Sequence, residues 1–166
     1  VASDLTNGKM IVLPDDLKNY DIEPDTFLVS RALRMSCGIP FFFEPIKLKS
    51  NIGDVVVVDG GVLSNFPMWI FENGLKERPV LGIRLSANIE EPQPKKIKNG
   101  LDLFEGLFTT MKDAHDTRYI SRKIERNIIF IPADEYSATQ FELDYDSKLD
   151  LLQKGRESTT RFLKTW

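Results

Sequence analysis

The run Val55-Val56-Val57-Val58-Asp59-Gly60-Gly61 constrains the fold more than any other stretch of the chain. Four β-branched residues in succession lack the polar alternation of a half-exposed strand, so they predict a strand covered on both faces. The strand stops at a carboxylate and two glycines, residue types that make tight turns. Glycines tolerate positive φ and close backbone approach, so other groups can pack tightly over such a turn. In open α/β sheets, ligands bind outside the carboxyl ends of the strands, which makes Asp59 a candidate site residue. The same residues also fit a plain turn in which Asp59 bonds its own backbone. Spacing alone weighs the two readings about equally.

The rest of the chain alternates strand-like and helix-like segments. Residues 9–13 read as a short strand after the turn residues Thr6-Asn7-Gly8. Residues 26–37 predict a helix with Leu28, Ala32 and Met35 on one face, Asp25 as N-cap, and Gly38 then Pro40 as its stop. The aromatic turn Phe41-Phe42-Phe43-Glu44-Pro45 leads into a strand at 46–48. Pro67 opens a short helix over 68–75, and residues 79–85 form a second buried strand. A long helix over 101–124, a strand at 127–131 and a final helix over 148–163 follow. This order implies an α/β fold, with a mainly parallel sheet covered by helices.

A length of 166 residues suits one domain. With 42% apolar and 28% charged residues, collagen-like, disordered and disulfide-scaffold classes are excluded. A net charge of -3 gives no basic footprint, so no nucleic-acid partner is expected. The single cysteine, Cys37, cannot form an internal disulfide. No stretch approaches the ~18 consecutive apolar residues of a transmembrane helix, and the first residues lack the basic start and apolar core of a signal peptide.

Other candidate groups read as structural. Ser36 falls inside a predicted helix and Ser64 in the turn before Pro67, and neither is flanked by the glycines of a nucleophile elbow. His115 is the lone histidine, in the long helix, with no sign of a triad partner. One Cys and one His cannot build a zinc site of the usual kind, and the acidic residues lack a calcium-loop spacing, so no metal and no cofactor are expected. Phe41, Phe42 and Phe43 fit either core or a lipid-facing patch, with core favoured two to one. Lys95, Lys96 and Lys98 fit a solvated loop, with attraction to anionic headgroups as the alternative.

The stretch from Asp59 to Pro67 resembles the Asp-Gly-Gly/Ala then Asn-x-Pro signature of patatin-like phospholipases, with Gly60, Gly61, Asn65 and Pro67 in its positions. Upstream, the stretch from Arg34 to Pro45 is similar to that family's Arg-Ala-Ser-x-Ala-x-Pro-x-x-Phe-x-Pro segment. It matches at Arg34, Ser36 and Pro40 and departs at Met35 and Gly38, where the family usually has alanine. The opening Ala2-Ser3-Asp4-Leu5-Thr6-Asn7-Gly8 resembles the family's Ala-Thr-Asp-Leu-x-x-Gly. Ile131-Pro132, Phe141 and Lys154-Gly155-Arg156 are similar to its closing part. The likeness is ordered from residue 2 to about 90 and looser beyond.

The resemblance implies a three-layer α/β/α fold and a lipid acyl hydrolase with a Ser–Asp dyad. Its serine sits in Gly-x-Ser-x-Gly, its aspartate falls on Asp59, and a glycine-rich loop forms the oxyanion hole. Neither glycine motif occurs in residues 1–166. The chain is therefore expected to be the C-terminal portion of a single patatin-like domain, incomplete at its N-terminus, with the nucleophile upstream. Expected partners are the N-terminal remainder of that domain, a phospholipid or other acyl-ester lipid, and a peripheral membrane contact. The expected location is cytoplasmic or peripheral to a membrane. The alternative is a non-catalytic α/β interaction module that has lost the elbow. A nucleotide-binding domain is weaker, since no phosphate-cradling glycine loop is present. A mass-verified chain of residues 1–166 should not hydrolyse p-nitrophenyl butyrate or react with a fluorophosphonate. Turnover, or labelling of Ser36 or Ser64, would overturn this reading.

Overall fold

The computed structural model describes residues 1–50, 53–74, 79–86, 97–119, 125–133, 135–136 and 139–166. Val1–Pro67 with Phe104–Arg118 form one compact unit, and Met68–Leu103 with Tyr119–Trp166 a second.

The first unit is built on a four-stranded sheet. Strand β1 (Ala2–Asp4) lies between β2 (Lys9–Ile11) and β4 (Gly53–Asp59), and β3 (Ile46–Ser50) pairs with the far edge of β4. Every neighbouring pair is antiparallel. This corrects the expectation of a mainly parallel sheet for this part of the chain. For β1 with β2 and for β3 with β4 the physical reason is connection length: four residues separate the first pair and two the second. Such links permit hairpins, whereas parallel strands need a crossover of about a dozen residues or more. The Val55–Val58 run does form a covered strand, with Val55, Val57 and Val58 buried and Val56 partly so.

Register decides which residues share a face. Ala2 pairs with Asp59, Ser3 with Val58 and Asp4 with Val57, while Ile46 and Leu48 pair with Val57 and Val55. Alternation then places Ala2, Asp4, Val55, Val57 and Asp59 on one face and Ser3, Val56 and Val58 on the other. The first face carries the core, where Ala2, Ile11, Leu48, Val55 and Val57 pack with Tyr20 and Met35. Met35 comes from helix α1 (Val29–Ser36), and Tyr20 from a 3-10 turn over Asp15–Tyr20.

Three further expectations change. Helix α1 begins at Val29, not 26, because Pro24–Thr26 closes its own 3-10 turn in which Asp25 is not a cap; Leu28 precedes the helix without a side-chain bond. Residues Met68–Gly74 form a 3-10 helix rather than an α-helix. Phe41, Phe42 and Phe43 are 75%, 40% and 40% exposed rather than core. Phe41 lies at φ +69°, and its ring meets Phe104 edge-on at 4.3 Å between centroids. Phe104 belongs to helix α2 (Gly100–Tyr119).

The second unit contains the parallel pairing. Strand β5 (Gly82–Ser86) runs beside β6 (Ile128–Pro132), with Ile83 opposite Ile129 and Leu85 opposite Ile131. Helix α3 (Tyr145–Leu163) packs on β6, capped at its start by the Asp144 carboxylate, which accepts the Ser147 amide at 2.7 Å. Ile128 and Ile129 are buried, yet Ile83 and Leu85 of β5 are 62% and 63% exposed.

A buried polar group ties the β1–β2 hairpin to the core. The Asp4 carboxylate accepts from the Asn7 amide at 2.9 Å, the Asn7 side chain at 2.7 Å and the Tyr20 hydroxyl at 2.8 Å. Burial works to raise the Asp4 carboxyl, but these hydrogen bonds outweigh it and hold the group below its ordinary value of 3.8. Burial, then the bond to Asp4, pushes the Tyr20 phenol up. Because the folded Asp4 binds its proton less readily than the unfolded one, the stabilisation is complete above the unfolded value. It is lost as pH falls through the lower native value. Tyr20→Phe should therefore lower the melting temperature at pH 7, and the loss should shrink as pH falls far enough to protonate Asp4 in the folded protein. An equal loss at every pH would contradict the assignment.

Candidate active site at the end of strand β4

Strand β4 delivers Asp59 to the end of the sheet, and a 3-10 turn over Gly60–Val62 begins at once. The Asp59 Oδ1 accepts the Gly61 amide at 2.6 Å. That is the bond a plain Asp-Gly turn would make. A carboxylate has two oxygens and several acceptor directions, so capping the turn does not use up the group. Asp59 is partly buried.

The turn is fixed on both sides of Asp59. On its amide side, Asp59 N donates to the Gly38 carbonyl at 3.0 Å, tying the strand end to the loop after α1. On its carbonyl side, the Gly60 oxygen accepts the Leu63 amide at 3.1 Å, the Ser64 amide at 2.8 Å and the buried Ser3 hydroxyl at 3.4 Å. Gly60 is required by contact: a Cβ there would lie 2.6 Å from both the Val1 carbonyl oxygen and its Cγ2. A Cβ on Gly61 would instead meet Asp59 Oδ1 at 2.9 Å and Asn65 Oδ1 at 3.4 Å. The two glycines therefore do different work, one admitting the first strand and the other leaving room for the carboxylate.

The remaining sequence-derived residues separate into those near this turn and those behind it. Asn65 lies beside Gly61, and Ser64 is buried in the turn with its amide on Gly60. Pro67 immediately precedes the 3-10 helix at Met68. Ser36 is the last residue of α1, and Pro40 lies in a turn closed by the Phe42 and Phe43 amides on the Ile39 carbonyl, at 3.2 and 3.0 Å. Arg34 spans that loop, its Nη2 donating to the Glu44 carbonyl at 2.8 Å. The sequence reading singled out neither Ser3 nor Gly38 as a support of the turn. Ser3 sits inside the Ala2–Gly8 motif, but only strand pairing reveals that it faces Val58 and reaches Gly60.

Among the described residues, no group of three His, Cys, Asp or Glu side chains could hold a metal ion. No described helix is long and apolar enough to cross a membrane. His115 lies within α2, while Lys95 and Lys96 fall outside the described residues.

Gly60→Ala should cost about 1–3 kcal/mol, the usual penalty for overpacking, because backbone rather than a flexible tip is in the way. Gly61→Ala should leave the melting temperature nearly unchanged and displace the Asp59 carboxylate. Thermal melts and a structure of each variant check this, and equal stability loss from both would contradict the division of roles.

Residues 3–72 match the family model described as patatin-like phospholipase. The chain is 56% identical over 166 residues to the uncharacterized protein YqhO of Bacillus subtilis (strain 168), covering all of this chain and 57% of that protein. It is 27% identical over 143 residues to the uncharacterized protein R571 of Acanthamoeba polyphaga mimivirus, covering 82% of this chain and 46% of that one. The chain thus spans about half the length of the curated relatives it matches. The matched region includes Ser3, the Arg34–Glu44 loop and the whole turn around Asp59. The family-model match supports the resemblance to patatin-like phospholipases over residues 3–72.

Proposed function

We propose that this chain supplies the aspartate half of a Ser–Asp dyad in a lipid acyl hydrolase, with Asp59 as the general base. The observation that carries the reading is the placement of Asp59: partly buried at the end of β4, beside Gly61, with its backbone tied on both sides. A serine hydroxyl is a weak nucleophile until a positioned base takes its proton. Proton transfer to such a base is efficient only where its geometry is fixed within hydrogen-bond reach of the hydroxyl.

In this reading the serine and the oxyanion donors come from a part of the protein outside residues 1–166, and all 166 residues belong to one domain with that part. The length of the relatives supports this, as does the exposed apolar face of β5, since a buried parallel sheet expects cover on both faces. The mainly parallel, three-layer α/β/α arrangement is then completed by strands not present here. The substrate is a phospholipid or another acyl-ester lipid. The exposed Phe41–Phe43 turn favours a peripheral contact with a lipid surface over a freely diffusing polar substrate. The location is cytoplasmic or peripheral to a membrane, and the chemistry needs no cofactor.

The competing reading is an interaction module in which Asp59 only caps its turn. Asp59→Asn in the whole gene product separates the two. An amide keeps the size and can still accept the Gly61 N–H, but it cannot take a proton. A positioned general base is worth about 10²–10⁴ in rate, so kcat should fall by that order with the melting temperature nearly unchanged. Full activity with a lowered melting temperature would establish Asp59 as a turn residue alone.

A further inference from the structure

Arg34 lies on the exposed part of α1 and folds over the loop that follows the helix. Its Nη2 donates to the Glu44 carbonyl at 2.8 Å, and its guanidinium carbon sits 5.5 Å from the centroid of the Phe43 ring. A Cβ placed on Gly38 would lie 3.3 Å from Arg34 Nη1 and 3.1 Å from the Arg34 carbonyl oxygen. One side chain therefore spans the loop from its first residue, Gly38, to its last, Glu44. Glycine rather than alanine at 38 leaves that side chain its room.

The spanned loop is not a relaxed one. Phe41 sits at φ +69°, a region that a bulky residue adopts only when its surroundings hold it there. Two amides converge on the Ile39 carbonyl within the loop. Its first carbonyl, that of Gly38, accepts the Asp59 amide at 3.0 Å. A continuous path thus runs from the guanidinium, through a strained loop, to the backbone of Asp59. On the carbonyl side of Asp59, the turn is held independently by Ser3, Leu63 and Ser64.

We propose that Arg34 is a positioning residue for Asp59: by clamping residues 38–44 it fixes the Gly38 carbonyl, and through that bond the direction in which the Asp59 carboxylate is aimed. The proposal rests on the reading of Asp59 as the base. It does not require Arg34 to touch substrate. Small errors in the aim of a catalytic group are expensive, with about a 10²-fold loss for a 1 Å displacement.

The test uses the whole gene product, with p-nitrophenyl butyrate as substrate and three variants: Arg34→Gln, Arg34→Lys and Asp59→Asn. Arg34→Gln should lower kcat by roughly tenfold or more while KM and the melting temperature stay close to wild type. Hydrogen exchange at the Asp59 amide should quicken in the same variant, with the β1–β2 hairpin amides unchanged. Lysine keeps a cation over Phe43 and one donor within reach of Glu44, so Arg34→Lys should recover much of the rate. Wild-type kcat and wild-type exchange at Asp59 in Arg34→Gln, with Asp59→Asn inactive, would overturn the positioning role alone. Full activity in Asp59→Asn would overturn the base reading beneath it. A parallel fall of kcat and melting temperature, unrelieved by lysine, would make Arg34 a merely structural residue and also overturn the proposal. Should Arg34→Gln fail to fold, Phe43→Leu, which removes the ring beneath the guanidinium, should still accelerate exchange at Asp59, and unchanged exchange there would count against the clamp.

Discussion

The hydrogen bond from the Asp59 amide to the Gly38 carbonyl joins the end of a central strand to the loop leaving α1, and much of the first unit is arranged around that junction. It needs β4 to end where it does, which depends on the covered valine run. It also needs Gly60, since no other residue lets Val1 pass so close to the strand end. Antiparallel pairing with β1 then brings the Ser3 hydroxyl onto the carbonyl that follows Asp59. The carboxylate is thus presented by backbone geometry to which the Gly38 carbonyl, the Ser3 hydroxyl and the covered valine run each contribute. Such support is what a catalytic group requires, because its effect depends on aim as much as on acidity.

Much of this was legible in the residues. The valine run followed by Asp-Gly-Gly marks a buried strand ending in a tight turn, and both are present. The helix around Met35 and the final helix were visible from apolar spacing, because amphipathic faces repeat at the helical period. Sheet direction was not legible in the same way. Alternation of strands and helices argued for parallel pairing; β2 reads as a strand over 9–13, but β1, three residues long, is not announced by its own pattern, so their hairpin goes unseen. Their hairpin, and the two-residue link between β3 and β4, made two of the three pairings of the larger sheet antiparallel. Parallel pairing appears where the chain does make a long crossover, between β5 and β6.

The site shows the same limits. Asp59, Gly60 and Gly61 could be singled out because their spacing encodes a local turn. Arg34 could be recognised only as part of a motif, since its contacts with Glu44 and Phe43 depend on how the loop closes. Ser3 acts on Gly60 from 57 residues away in sequence, and no local pattern carries that information. The phenylalanine turn was weighed as core because large exposed apolar patches are rare on soluble domains. All three rings are instead exposed, and Phe41 has a positive φ, a backbone property that three identical side chains do not reveal.

The central claim is that the Asp59 carboxylate meets a serine hydroxyl supplied by residues outside this chain. A crystal structure of the whole gene product, with the reactive serine identified by fluorophosphonate labelling of the same preparation, tests it directly. The account predicts the labelled serine on a glycine-flanked strand-to-helix turn, its unlabelled Oγ about 2.6–3.2 Å from an Asp59 carboxylate oxygen. A labelled serine far from Asp59, or one paired with a histidine instead, would contradict it.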